Sequence, residues 1–365
     1  MIDIYFVSLG CDKNLVDSEV MLGLLAEKGY GFTDDETQAD IIVVNTCCFI
    51  GDAKEESVNT ILEMAEWKNK GKLKGLIVTG CLAERYREEI LKEIPEVDAV
   101  VGTASYDRIA EVIEQAAAGE QKLLYGNTDR LVMTETGRIL TTGGHYAHLK
   151  IAEGCDKHCT YCIIPKLRGR YRSFPMEKLV KEAQELADQG VKELILVAQE
   201  TTMYGTDLYG EKKLHELLKE LCRIRGIRWI RIQYCYPEEI YEELIRTIRD
   251  EPKICHYLDL PIQHASDRIL KRMGRRTTRQ DLQKMIGRLR EEIPDICLRT
   301  TLITGFPQET EEEHEELLDF VDEMEFDRLG VFPYSPEEDT PAACMEGQIP
   351  EEIKEARRDE LMELQ

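Results

Sequence analysis

Three cysteines stand directly behind three apolar, β-rich runs: Cys11 after IDIYFVSLG, Cys47 after DIIVVNT and Cys81 after KGLIVTG. The runs are followed by helical periodicity over Leu15–Lys28, Glu55–Trp67 and Glu84–Glu93. VDAVVG and a helix near Ser105–Ala118 continue the pattern. Short apolar strands that alternate with amphipathic helices need right-handed crossovers, which place the strands parallel in one sheet. Residues 1–120 are therefore predicted to form a doubly wound parallel α/β domain. The carboxyl ends of the strands in such a sheet converge on one crevice. Thiols 36 and 34 residues apart in sequence, from 11 to 47 and from 47 to 81, are thus expected to meet in space. Three ligands would leave one metal position open; the plainer reading is three unconnected buried cysteines.

Between residues 121 and 145 the periodicity lapses into turn-rich sequence (YGNTDR, TETGR, TTGGH), which suits a linker or a small hairpin. Over 146–340 the alternation resumes. The strand-like runs are AHLKIAEG, ELILVAQE, WIRIQYCYP, YLDLPIQH, CLRTTLITGFP and RLGVFPYSP. The helical stretches are Lys178–Gln189, Leu214–Arg225, Glu238–Arg249, Gln280–Glu292 and Glu311–Met324. Such repeats predict a partial (βα)6 TIM-like barrel, or an open parallel sheet, with loops gathered at the carboxyl ends of the strands. Residues 341–365 read as a charged, helical C-terminal extension.

Composition narrows the function. The chain has 365 residues, and 71 Asp plus Glu against 47 Lys plus Arg leave a net charge of -24. Such a charge repels phosphate backbones and attracts basic partners, so bulk nucleic-acid binding is disfavoured. Local basic runs, KLRGRYR (Lys166–Arg172), RIRGIRWIR (Arg223–Arg231) and KRMGRR (Lys271–Arg276), read equally as phosphate contacts or as solvated loops. The start MIDIYFVSLG is no secretory leader and no membrane-length apolar run occurs, which points to a cytoplasmic protein without membrane contact. Twelve cysteines in that compartment are not a disulfide framework, so metal ligation is the first explanation for some of them. Cys48, Cys222, Cys235, Cys255, Cys297 and Cys344 have no partner at ligand spacing and read as small buried hydrophobes.

The densest signal is Cys155-Asp-Lys-His-Cys159-Thr-Tyr-Cys162, behind Gly154 and a β-like run. Three thiolates at this spacing can hold three corners of a four-iron, four-sulfur cubane and leave the fourth iron open for chemistry. Structural zinc, with His158 or His145 as fourth ligand, is the alternative.

That loop resembles the cluster motif of the radical S-adenosylmethionine superfamily. SLGCDKNLVDSE, AEGCDKHCTYCIIPKLRG, PIQHASDRILKRMGR, TTLITGFPQET and FPYSPEEDTPA resemble the methylthiotransferases within it, above all the branch that modifies an aspartate of a ribosomal protein. The similarity runs from Ile2 to about Gln365. It implies two 4Fe-4S clusters, on Cys11, Cys47 and Cys81 and on Cys155, Cys159 and Cys162, with S-adenosylmethionine on the open iron of the second. It implies that Tyr161 lies against the adenine, that Gln199 or Glu200 meets the amino group or ribose, and that Thr304, Gly305 and Pro307 line the adenosyl pocket. In the family one S-adenosylmethionine methylates a sulfur carried by the first cluster and another yields the radical that takes hydrogen from the aspartate β-carbon. A basic protein of the small ribosomal subunit as substrate and a reductant such as flavodoxin or ferredoxin follow from the same resemblance. No catalytic acid or base is required, and His256 and His264 are left unassigned.

Three departures stand out. Phe174 occupies a position where the family has arginine, and Glu200 one where aspartate is usual. The family also appends a small β-barrel, the TRAM domain, and the sequence ends where that barrel is expected to begin. The rival within the family acts on an adenosine of transfer RNA, but its first motif reads TYGCQMN where this chain has SLGCDKN. A non-catalytic electron-transfer or cluster-scaffold protein would explain six cysteines without needing the LITGFP, QETTMYG and YSPEEDT strand ends.

Overall fold

The computed structural model, which describes residues 2–70 and 72–365, turns the N-terminal apolar runs into strands. They are β1 (Asp3–Ser8), β2 (Gly31–Phe32), β3 (Ile41–Thr46), β4 (Gly75–Gly80), β5 (Ala99–Val101) and β6 (Lys122–Leu124), all parallel in the order β2-β1-β3-β4-β5-β6. Every residue of β3 and β4 is buried, as expected for central strands covered on both faces. One cover is made by α1 (Asp12–Glu27) and a helix at Ile109–Ala117, whose Met21, Leu25, Val112 and Ile113 share a core with Ile4, Ile41, Val43 and Ile77. The other includes α2 (Gly51–Asn69), which buries Ile61, Met64 and Ala65 and packs on β3 and β4. The sheet is thus doubly wound, and its order reverses between β1 and β3, the switch point where such folds bind ligands.

Two features depart from the periodicity. The stretch read as a linker or hairpin contributes β6, whose three residues are too few for any period to show. The helix expected over Glu84–Glu93 is two, α3 (Cys81–Tyr86) and α4 (Glu88–Glu93). Arg87 between them has φ 42°, and its side chain donates from Nε to the Glu84 carbonyl (3.1 Å) and from Nη2 to Glu84 Oε1 (2.8 Å). That self-made cap takes the acceptor a continuing helix would use.

By contacts the chain divides into two compact units. The first comprises Met1–Gly144, Glu153–Cys155 and Ile164–Arg172; the second comprises His145–Ala152, Asp156–Ile163 and Ser173–Gln365. The first unit therefore also holds α5 (Ile164–Arg168).

The second unit has β7 (Tyr146–Lys150), β8 (Glu193–Val197), β9 (Trp229–Ile232), β10 (Ile254–Asp259), β11 (Cys297–Thr304) and β12 (Arg328–Pro333). Each pairs in parallel with its sequence neighbour, which gives the (βα)6 order without a reversal. Helices between the strands are amphipathic; Met176–Asp188, for example, buries Leu179, Ala183, Leu186 and Ala187. Capping boxes start Arg279–Glu292 (Thr278 with Asp281) and Glu311–Met324 (Thr310 with Glu313). The C-terminal helix Glu351–Leu364 packs on β11 and β12. Among the described residues no helix is long and apolar enough to cross a membrane.

Candidate functional site

In the first unit the three isolated cysteines follow β1, β3 and β4, which are neighbours in the sheet. Cys11 is the residue before α1, Cys47 follows the last residue of β3, and Cys81 opens α3. Hydrogen bonds tie the strand ends together. Asn14 Nδ2 donates to the Leu9 and Thr46 carbonyls (2.9 Å each), Asn45 Nδ2 donates to the Asn14 carbonyl (2.9 Å), and the Cys47 amide donates to Ser57 Oγ (3.0 Å). Gly10 is required here: at φ 90° a Cβ would lie 2.7 Å from Cys47 Cβ and 3.0 Å from its sulfur. The SLGC motif thus brings the first thiol loop against the second.

Cys11 is exposed, and Cys47 and Cys81 are buried. Burial pushes both buried thiols up, and the Arg168 guanidinium acts against that. Arg168 is 3% exposed; it donates to Asp17 Oδ2 (2.7 Å), Asn14 Oδ1 (2.6 Å) and Glu153 Oε2 (3.3 Å). A buried thiolate needs a cation beside it, and a metal cluster and a guanidinium both supply one. Among the described residues no three Cys, His, Asp or Glu side chains are placed to share a single metal ion. A cubane takes each thiolate on a different iron, which asks for donors spread over neighbouring strand ends. In thiol chemistry and placement the three cysteines fit such a group.

The division between units passes through the second motif, with Cys155 in the first unit and Cys159 and Cys162 in the second. Cys155 and Cys159 are buried and Cys162 half-buried. The Cys155 amide donates to the Gly169 carbonyl (3.1 Å) and the Cys162 amide to the Cys159 carbonyl (3.1 Å). Thr160 pins the loop within the second unit: its amide bonds Met273 O, its hydroxyl Arg272 O, and its carbonyl the Ala342 amide, all at 2.9 Å. Tyr161 is half-buried against Ile269, Met273, Phe306, Tyr334 and Ala342. Cys159 Sγ lies 3.5 Å from Tyr236 Oη, and the Arg275 guanidinium sits 4.2 Å from the centre of the Tyr236 ring while donating to Pro261 O (2.7 Å).

The other expected residues stand at strand ends of the second unit. Gln199 is half-buried and Glu200 is 1% exposed, both just after β8. Glu200 Oε1 accepts from the Thr202 amide (2.9 Å) and hydroxyl, while Oε2 has no partner. Burial pushes this carboxyl up to about 7, against the pull of Thr202 and Lys157. Thr304 ends β11, and Gly305 and Pro307 are buried in the turn after it. Tyr161 and Ile303 both pack against the cluster that includes Phe306 of this turn. The C-terminal helix holds it from behind. Thr304 Oγ1 donates to Lys354 O (3.0 Å), a Cβ on Gly305 would lie 2.2 Å from Lys354 Cγ, and Arg357 pairs with Glu309 (2.8 Å). His264 is buried, its Nδ1 accepting from the Ser266 amide (2.9 Å), and His256 pairs with Asp295 (2.6 Å).

Arg168, Tyr236, Arg275, Lys354 and Arg357 were not singled out by motif. The first and third sit in KLRGRYR and KRMGRR, runs whose charge suggested surface or phosphate. Each run instead sends a guanidinium inward, to 3% and 5% exposure.

The model of the uncharacterized protein family UPF0004 matches residues 3–102, and that of the radical SAM superfamily matches residues 149–321. The ribosomal protein uS12 methylthiotransferase RimO of Lachnoclostridium phytofermentans is 68% identical over 99% of this chain and 82% of its own. Those of Acetivibrio thermocellus and Clostridioides difficile are 56% and 53% identical, over 98% and 100% of this chain and 81% and 82% of their own. Among solved structures, the radical S-adenosylmethionine methyltransferase TsrM from Kitasatospora setae, with cobalamin and a [4Fe-4S] cluster bound, superposes with a TM-score of 0.67. It has 15% identity and covers 94% of this chain and 77% of its own. The cobalamin-dependent radical enzyme OxsB gives 0.61 at 16% identity, covering 94% of this chain and 54% of its own. These two share the fold; the high identities carry the family, and the chain belongs to the ribosomal protein uS12 methylthiotransferase RimO family.

Proposed function

We propose that this protein is a radical S-adenosylmethionine methylthiotransferase that places a methylthio group on the β-carbon of an aspartate in ribosomal protein uS12. The observation that carries the reading is the set Cys11, Cys47 and Cys81 on three adjacent parallel strand ends, in a chain that also has the Cys155, Cys159, Cys162 loop. A one-cluster radical enzyme has no use for the first set. When bound, a [4Fe-4S] cluster on the loop with S-adenosylmethionine supplies one-electron cleavage of a C–S bond, and a second cluster on the first set supplies a site for the transferred sulfur.

The chain's own residues bind, orient and exclude water. Thr160 fixes the loop, so that Cys159 and Cys162 keep their place as ligand fills the site. Tyr161 and the Ile303–Phe306 turn offer an apolar wall for an adenine, with Gly305 keeping the backbone low. Glu200, dry and with one oxygen unpartnered, is placed to accept from the ammonium group or ribose of S-adenosylmethionine, with Gln199 beside it. Thr304 and Pro307 shape the same turn. The electron enters from a low-potential carrier of the flavodoxin or ferredoxin kind.

The test incubates anaerobically reconstituted protein with S-adenosylmethionine, dithionite and uS12, and reads peptide masses. A methylthio gain on one uS12 aspartate, lost when Cys11, Cys47 and Cys81 are all alanine, supports the reading. Modification of a transfer RNA adenosine instead would move the protein to the sister branch. About eight irons per chain, falling to about four in the triple variant, is the companion measurement.

A further inference from the structure

Arg168 ends α5, six residues after Cys162, yet belongs to the first unit and is buried there at 3% exposure. Nη1 reaches Asp17 and Glu153 and Nη2 reaches Asn14, at 2.7, 3.3 and 2.6 Å. Asn14 in turn bonds the carbonyls of Leu9 and Thr46, one residue before Gly10-Cys11 and directly before Cys47. Helix α5 also packs on α3, which Cys81 opens. Through Asn14 the guanidinium is therefore fastened to the strand ends that carry Cys11 and Cys47, and its helix packs on the one that Cys81 opens.

Buried ion pairs contribute little net stability because desolvation offsets their attraction, and apolar packing often serves as well. Here one cation is shared by two buried carboxylates, and the Asn14 it holds is bonded to the strand ends that carry Cys11 and Cys47. Deleting Arg168 would remove the cation that Asp17 and Glu153 share at 2.7 and 3.3 Å.

We propose that Arg168 is a positioning residue that offsets the negative charge of a cluster held by Cys11, Cys47 and Cys81, and so sets how readily that cluster accepts an electron. The proposal rests on reading those cysteines as cluster ligands. One electron delivered by a chemical reductant such as dithionite adds one negative charge to the cluster, and nothing leaves. A fixed cation favours that step and a neighbouring carboxylate opposes it.

The full chain with Cys155, Cys159 and Cys162 changed to alanine isolates the first cluster for redox titration followed by electron paramagnetic resonance. In that background Arg168→Met is expected to lower the equilibrium constant for reduction at least tenfold, a drop of about 59 mV for one electron. Asp17→Asn, which keeps the hydrogen-bond acceptor for Arg168 and removes one negative charge, is expected to shift the potential the other way. Arg168→Lys, with charge but no fork, retains most of the potential. A merely structural residue would alter stability without opposite shifts in the two variants. If both potentials move the same way, or neither moves, the proposal is overturned. Should Arg168→Met hold no iron, the Asp17→Asn arm decides alone. A parent that binds no iron in this background overturns the reading of the triad itself, and the proposal with it.

Discussion

Replacing Glu200 by glutamine tests the second unit's site through pH alone. The carboxyl is 1% exposed, has one partnerless oxygen, and is pushed up to about 7 from an ordinary 4.5, mainly by burial. Below pH 4.5 the group is protonated in the folded and unfolded chain alike and has no effect on the balance. Between 4.5 and 7 the unfolded chain releases its proton first, so stability falls as pH rises, and above 7 the whole cost is present. A carboxyl moved this far corresponds to about 3 kcal/mol. Glu200→Gln removes the titration and keeps an acceptor for Thr202. Its melting temperature should match the wild type near pH 4.5 and exceed it near pH 8 by roughly 6–12 °C, at about 2–4 °C per kcal/mol for a unit of this size. Differential scanning fluorimetry of the apo chain at both pH values reads this directly. If wild type and variant lose stability in parallel from pH 4.5 to 8, Glu200 is not the strained group argued for here. The proposed ammonium contact adds a second readout, because a cationic ligand favours the carboxylate: the affinity for S-adenosylmethionine should rise with pH through about 7 in the wild type only.

Other perturbations separate packing from chemistry. Gly10→Ala, forced to φ 90° with its Cβ at 2.7 Å from Cys47, should cost about 1–3 kcal/mol in urea denaturation and lower the iron bound per chain. Arg357→Met leaves Glu309 buried without its cation and should destabilise by about 3–5 kcal/mol, while the double change with Glu309→Gln recovers much of that loss in the same melts. Thr278→Ala removes one half of the capping box that starts Arg279–Glu292; about 1 kcal/mol of stability should go, with methylthio transfer intact.

How much of this was readable in the chain depends on how local each cause is. β3 and β4 announce themselves because a strand buried on both faces must be apolar throughout, and IIVVNT and GLIVTG are nearly so. The first cysteine set is legible for the same reason: once strands are placed, their ends are placed, and a thiol at each end becomes a pattern. β2 and β6, with two and three residues, carry no period and exist through pairing with their neighbours. The break at Arg87 comes from one side chain bending back to Glu84, which no propensity encodes. Arg168 and Arg275 were hidden for a different reason. An arginine in a basic run looks like surface, and what buries it is a set of acceptors distant in sequence: Asn14 and Asp17 for the one, Pro261 for the other. Burial of charge is decided by partners, and partners are non-local.

Those buried guanidinia also sharpen the electrostatics outside. The formal charge is -24, and several of the compensating arginines face inward, matched to buried carboxylates, so the acid that remains is largely on the surface. Helix Glu311–Met324 alone exposes Glu311, Glu312, Glu315, Glu316, Asp319, Asp322 and Glu323, and the C-terminal helix adds Glu351, Glu352 and Glu355. A field of this size draws a basic protein in from beyond contact distance and is screened over about 10 Å at 0.1 M salt. The association rate of uS12 with this protein should therefore fall steeply from 50 to 300 mM salt while the dissociation rate changes little. Stopped-flow fluorescence with labelled uS12 separates the two rates. Exchanging the exposed acids of helix Glu311–Met324 for glutamine should flatten the salt dependence of association if that helix contributes to the attraction. A salt-independent association rate in the wild type would mean that surface charge does not guide the encounter, and that substrate choice rests on short-range contacts alone.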